Sequence, residues 1–396
     1  MTHSIDKLRR ATPDCALTVP RSDARRGSEA VTRATVAERT TLGVAGKARP
    51  KRDELEDVAH EAASTRATGG VAKSVKRQAA SRAKAEGKSV SAASVLCGRP
   101  LEVAGTAALA RLNETQAHAL AHATRSAKTL SRAAHAPLVA RLAALGFGEA
   151  DLARCLAYMR DEAPATVNFH PDKALSLAVN RADLKTPHYS VTVDRTRTVI
   201  DAFLADSLYR NQFETGVTSG ASTAFPGGSR DEWEKTIFRG DYHEHALVPG
   251  ERPRYGAINV ELKMAGPASQ YGSCYFVLKP EVRARVTITP KNSCTCEASD
   301  VGTLASCEHV LAGMPEERLK ALMDAAVHGT RSTERSWSYV EMQIHGPLEF
   351  ATDVFGVVAD AKFRGTPYED KLRRFAAANG LELAWQDGSA VTPDAS

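Results

Sequence analysis

Hydrophobic and polar positions divide the chain into three regimes. Across residues 1–95 no apolar period is sustained, and Ala, Arg, Ser, Thr and Gly dominate. Such a stretch buries too little apolar surface to offset chain entropy. It is expected to be a mostly disordered arm, with short helical stretches at 51–63 and 73–88. Over 101–163, Leu101, Val103, Ala107, Leu109 and Leu112 begin a series of apolar positions at helical spacing, which continues through 117–130, 138–145 and 152–159. Asn113-Glu-Thr, Ala136-Pro137 and Gly146-Phe-Gly148 mark its breaks.

From Ala163 the periods mix. Residues 164–170 read as a strand stopped by Pro171-Asp172, and 198–209 as an amphipathic helix. A polar, glycine-bearing loop follows at 212–220, then a short helix at 231–238. Strand-like runs lie at 255–262, 271–278 and 284–289, and a helix at 315–327. In 336–350, Tyr339, Glu341, Gln343 and His345 alternate with Val340, Met342 and Ile344 until Gly346-Pro347 bends the chain. A carboxylate among aromatic, amide and imidazole groups on one face reads as a cleft wall. A half-buried edge strand whose polar face meets water fits the alternation as well. Helices at 351–359 and 368–379 and a short tail complete an α+β order with mostly antiparallel pairing. The expected division is an arm (1–95), a helical region (100–163) and an α+β domain (164–390).

Composition sharpens this division. Every Phe, Tyr and Trp (11, 9 and 3) lies at or after Phe147. Residues 1–100 hold 20 Lys/Arg against 11 Asp/Glu, although the whole chain of 396 residues carries only +5. Acids interspersed in the arm, and the lack of aromatics for stacking, argue against a nucleic-acid-binding role, although a non-catalytic protein whose basic arm contacts nucleic acid stays open as the alternative to an enzyme. No apolar run reaches the roughly 18 residues that span a membrane. Met1–Arg10 leads into no apolar core of a secretory signal. Seven scattered cysteines argue for a chain that works reduced.

Two metal patterns are weak. His118 and His122 lie one helical turn apart without a Glu or Cys to complete a set. Cys294-x-Cys296 with Cys307-x-His309 fits structural zinc spacing poorly. No metal is expected. The loop Gln212-Phe-Glu-Thr-Gly-Val-Thr-Ser-Gly220 can bring backbone N–H groups and hydroxyls to a phosphate or ribose.

Six separated stretches carry a resemblance: VNFHPDK (167–173), YRNQFETGVTSG (209–220), GGSRDEWEKTIFRGDY (227–242), RPRYGAINVE (252–261), YGSCYFVLK (271–279) and YVEMQIHGP (339–347). In this order they resemble a bacterial family with an ADP-ribosyltransferase-like fold. Its secreted members are similar to the CteC-type effectors that ADP-ribosylate a threonine of ubiquitin. The resemblance implies a mixed or antiparallel sheet core, NAD+ as the substrate consumed, ubiquitin as partner, and delivery to a host cytoplasm with 1–95 as export segment. Glu341, followed by MQIHGP, matches the catalytic glutamate of the last key strand. Glu214 is the second carboxylate candidate, as base or ribose ligand. His170 stands at the NAD-holding position of the first strand. Gln212, Phe213 and Thr215 fall in the polar loop, and Tyr271, Ser273 and Tyr275 in the strand near the nicotinamide. Arg239 in Phe-Arg-Gly is similar to the Arg-Gly of arginine-specific transferases, but it follows a helix. Tyr339 stands where arginine-modifying enzymes carry a second glutamate, which implies a hydroxyl acceptor instead.

Overall fold

The computed structural model describes residues 105–181, 188–217, 223–245, 248–331 and 339–387. The N-terminal arm, loop residues 218–220 and residues 336–338 lie outside the described residues. A short helix α1 (Gly105–Leu109) precedes α2 (Glu114–Ala144) and α3 (Glu149–Asp161). Asn113 starts α2 through a reciprocal cap: its side chain accepts from Gln116 N–H, and the Gln116 side chain accepts from Asn113 N–H. The break expected at Pro137 does not occur, because α2 runs through it. Pro137 and Ala133 both lie on the exposed face, where water takes the carbonyl that the missing N–H leaves, while Leu138 and Leu142 are buried on the other face.

The main sheet has seven strands in the order β6-β7-β4-β1-β5-β8-β9. They are β1 (Ala165–Phe169), β4 (Arg254–Ile258), β5 (Cys274–Leu278), β6 (Val286–Thr289), β7 (Val340–Ile344), β8 (Val354–Ala359) and β9 (Glu382–Trp385). All pairings are antiparallel except β8 with β9. The fold class is therefore α+β with a mostly antiparallel sheet. The hairpin β2 (Ala174–Arg181) and β3 (His188–Thr198) pairs separately and lies where the pattern predicts no element. Between the strands lie α4 (Val199–Ala205), α5 (Gln212–Thr215), α6 (Ser229–Ile237), α7 (Glu308–Ala312), α8 (Glu316–His328), α9 (Phe350–Asp353) and α10 (Pro367–Ala378).

Residues 351–359, expected as a helix, are mostly strand β8. Val-Phe-Gly-Val-Val-Ala is a short, β-branched apolar run buried between β5 and β9, and such runs alternate on neither period. The tail supplies β9. Tyr271 and Ser273 precede β5 rather than belong to it, with Tyr271 in a 3-10 turn (Ser269–Tyr271).

Alternation assigns the two faces of the sheet. One face carries Ile288, Met342, Ile344, Val167, Phe276, Val357 and Trp385 into a single core shared with Leu138, Leu142, Leu152 and Met159 of the preceding helices. At its centre Phe276 stacks on Phe169 at 4.4 Å, with Phe203, Phe350 and Phe375 within 5.7 Å. The helical region and the sheet thus share one hydrophobic interior. The other face is apolar over β5, β8 and β9, where Tyr275, Val277, Val358 and Ala384 cluster, and polar over β6, β7, β4 and β1.

Candidate active site

Strand β7 lies inside the sheet, between β6 and β4, so the edge-strand alternative for 336–350 fails. Register places Glu341 level with Thr289 on β6 and Ala257 on β4. The small Ala257 makes room for the Tyr339 ring, which packs on it and on Ala268. Glu341 is only 5% exposed. A carboxylate this deep needs donors, and it has three. Ser293 N–H donates to Oε1 at 3.1 Å, Gln343 Nε2 to Oε1 at 3.2 Å, and the Tyr339 hydroxyl to Oε2 at 3.0 Å.

The Tyr339 hydroxyl also lies 3.3 Å from that of Tyr271, which accepts from Asn292 Nδ2 at 3.1 Å. Tyr339 has one proton, and the charged acceptor takes it; Tyr271 then donates to Tyr339. Burial, then the charge of Glu341, pushes the Tyr339 hydroxyl far above its usual range, so it stays a donor. Burial raises Tyr271 in the same direction. Tyr271 is 39% exposed, so a chain of hydroxyls runs from the surface to the buried carboxylate.

Helix α6 borders this site. It starts at Gly228, where a Cβ would stand 2.3 Å from the Thr223 carbonyl oxygen. Glu234, fully buried, accepts from Arg252 Nη1 at 3.0 Å and from the Tyr255 hydroxyl at 2.8 Å. Arg252 also donates to Asp231 at 2.6 Å and lies over the Phe213 ring at 4.7 Å. Arg230 sits between the Tyr255 ring (4.5 Å) and the Trp233 ring (5.1 Å). Burial pulls its guanidinium down, but Tyr255, Glu234 and Glu341 outweigh that and hold it above its ordinary value.

At the far end of β7, His345 is fully buried, its Nδ1 2.7 Å from the Tyr242 hydroxyl and its Nε2 3.2 Å from Thr287 Oγ1. Burial, then the charge of Arg285, lowers it to about 3, so it is neutral. Tyr339, Glu341, Gln343 and His345 are therefore interior groups, and the open cleft wall expected for them is closed over.

The remaining expected site residues scatter. Glu214 does not join Glu341. It caps α5 by accepting from Asn211 N–H at 2.9 Å and pairs with Arg254 at 3.0 Å and Arg210 at 2.9 Å. Arg254 aligns with Ile344, three residues along the ladder from Glu341 and on the opposite face. Phe213 is buried under Arg252, and Thr215 Oγ1 donates to the Asn211 carbonyl. Gln212 lies in the same short helix rather than in an open loop. His170 follows β1; burial lowers it, and the charges that act on it are Asp172, Lys173 and Lys362. Tyr275 shares the sheet face of Glu341 but lies in the apolar cluster of β5 and β8. The Ser273 carbonyl accepts from Gln386 Nε2, and its hydroxyl is buried without a partner. Arg239, at φ 53°, lines a small surface depression with His122, Ser126 and Asp241. Glu341 is not among the residues that line it.

His118 and His122 turn to Asp241, at 3.6 and 2.9 Å. His309 uses both ring nitrogens, on Ser131 at 3.0 Å and on the Val301 carbonyl at 3.0 Å. Cys307 and Cys296 lie in different clusters. Among the described residues no group of three His, Cys, Asp or Glu is placed to hold a metal ion, and no helix is long and apolar enough to cross a membrane.

Arg230, Glu234, Tyr255 and Ser293 are site residues that pattern reasoning missed. Arg230 and Glu234 stand four apart, the spacing of an ordinary solvated ion pair on a helix. Both are buried, with the Tyr255 side chain of the sheet against each.

Residues 187–335 match a family described as a protein of unknown function (DUF3626). The match spans β3 to α8, with Arg230, Tyr255, Tyr271 and Ser293, and stops short of Glu341. No curated protein matches the chain.

Proposed function

We propose that this chain is an NAD+-dependent mono-ADP-ribosyltransferase that modifies a hydroxyl side chain, with Glu341 as its central catalytic residue. The observation that carries the reading is a nearly buried carboxylate, held by three donors on the polar face of an antiparallel sheet and bordered by tyrosines. The six resembling stretches support it independently. NAD+ is consumed. The bond between ribose C1′ and nicotinamide breaks, nicotinamide leaves neutral, and positive charge develops on the ribose. The acceptor oxygen attacks C1′ and releases its proton. A carboxylate fixed beforehand stabilises that developing charge without reorganising. Tyr339 keeps Glu341 oriented, and no second glutamate stands two residues before it, which suits a hydroxyl acceptor. The resemblance makes a threonine of ubiquitin the acceptor to test first, and a secreted effector acting in a host cytoplasm the setting.

The test is incubation of the full chain with labelled NAD+ and a eukaryotic lysate, with mass spectrometry of the labelled product. Label on a threonine or serine, accompanied by nicotinamide release, is the expected result. Neither label nor nicotinamide overturns the proposal. The closure of Tyr339 and Ser293 over Glu341 favours one second reading, a transferase-like protein that binds a partner without turnover. NAD+ binding without nicotinamide release is its signature.

A further inference from the structure

Side chains along the polar face of β7 form one chain of hydrogen bonds, and counting protons fixes its direction. Gln343, fully buried, offers Nε2 to Thr289 Oγ1 at 3.1 Å and to Glu341 Oε1 at 3.2 Å. Thr289 gives its single proton to the Lys291 carbonyl at 2.8 Å, so it accepts from Gln343. Glu341, as a carboxylate, accepts as well. Both neighbours therefore require the amino group, and the amide oxygen faces the other way, to Thr287 Oγ1 at 3.0 Å. Thr287 must donate there. Turned elsewhere, its proton would leave the amide oxygen buried and bare, which is costly.

Thr287 then has only lone pairs for His345 Nε2, 3.2 Å away, so that nitrogen carries the imidazole proton. A neutral imidazole has one. Nδ1 is bare and accepts from the Tyr242 hydroxyl at 2.7 Å. Burial, then the charge of Glu234, raises Tyr242 well above its usual range, which keeps it a donor. Two directed chains thus converge on one carboxylate, the first from Tyr271 through Tyr339. The second runs from Tyr242 through His345, Thr287 and Gln343. Thr287, on the neighbouring strand β6, stands one side chain removed from Glu341. We infer that Thr287 is a positioning residue: it holds the Gln343 amide at its oxygen end, keeps the amino end on Glu341, and sets His345 as the Nε2–H tautomer. An amide held at one end alone can swing about its terminal torsion, whose minimum is broad. The consequence for turnover rests on the transferase reading; the directed chain does not.

Nitrogen NMR of the full chain reads the tautomer. His345 is the one of 12 histidines whose signals disappear in His345→Gln. Wild type shows Nε2 protonated and Nδ1 bare. Thr287→Val keeps the branched shape and removes the proton. It leaves Nε2–H without an acceptor, so His345 moves to the Nδ1–H form or a mixture, and the Gln343 side-chain amide signals shift. Thr287→Ser keeps the hydroxyl and restores both. In nicotinamide release, Thr287→Val lowers kcat about tenfold with KM unchanged, the scale of one hydrogen bond to a charged group, and Thr287→Ser recovers the rate. An Nδ1–H tautomer in wild type, or wild-type His345 and Gln343 signals in Thr287→Val, overturns the inference. So does a wild-type kcat in Thr287→Val, which leaves the transferase reading standing. The expected tautomers without nicotinamide release from wild type do the reverse: they remove the transferase reading and leave the chain in place.

Discussion

The two faces of β7 are equally buried and built for different ends. Val340, Met342 and Ile344 project into the shared apolar core. Tyr339, Glu341, Gln343 and His345, one residue out of phase, are at most 5% exposed as well, and each has a polar partner. Burial alone therefore does not separate core from site. What separates them is whether a removed group leaves a void or leaves a partner stranded. The first damages stability. The second damages orientation and charge, and only there can chemistry follow.

Four substitutions or conditions sharpen the contrast. On the apolar face, Phe276→Ala empties the middle of five packed aromatic rings and should destabilise by about 3–5 kcal/mol. Urea unfolding measures it, and a loss under 1 kcal/mol would mean that the ring cluster contributes little. On the polar face, His345 titrates far below its unfolded value near 6.5. From pH 6.5 down to about 3 the unfolded chain binds a proton that the folded chain refuses. Stability should therefore fall as pH falls through that window, by up to about 1.4 kcal/mol per pH unit from this group. His345→Gln should flatten the profile by that much, and unchanged slopes would contradict a neutral buried imidazole. Tyr339→Phe removes one donor from Glu341 and should cost about 1 kcal/mol of stability. It should also slow nicotinamide release, and a rate equal to wild type would show that Tyr339 does not orient the carboxylate. Glu214→Gln is the smallest in its effect on activity: it loosens the pair with Arg254, which keeps the carbonyls of Tyr209 and Gly346. Nicotinamide release should not change.

The sequence foretold some of this and hid the rest for physical reasons. Alternation at 339–345 located β7 and the side on which Glu341 projects, and Ser229–Ile237 is close to the helix expected at 231–238. Strand β8 was hidden because a strand buried on both faces loses the period of two. Strand β9 is hidden in a short segment that pairs, among the described residues, with β8 alone. Glu214 looked catalytic because a carboxylate in a glycine-bearing loop and a helix-capping carboxylate read alike until Asn211 and Arg254 are seen beside it. Arg230 was overlooked for the opposite reason. A charged residue beside acids on a short helix looks solvated, and nothing local tells that Tyr255 and Trp233 close over it.

The most direct test of the account is the rate of nicotinamide release from NAD+ by wild type, Glu341→Gln and Glu214→Gln, with urea unfolding of each. A loss on the order of 10²–10³ in rate for Glu341→Gln alone, with its fold intact, is the predicted result. Equal rates for wild type and Glu341→Gln, or a loss confined to Glu214→Gln, would contradict it.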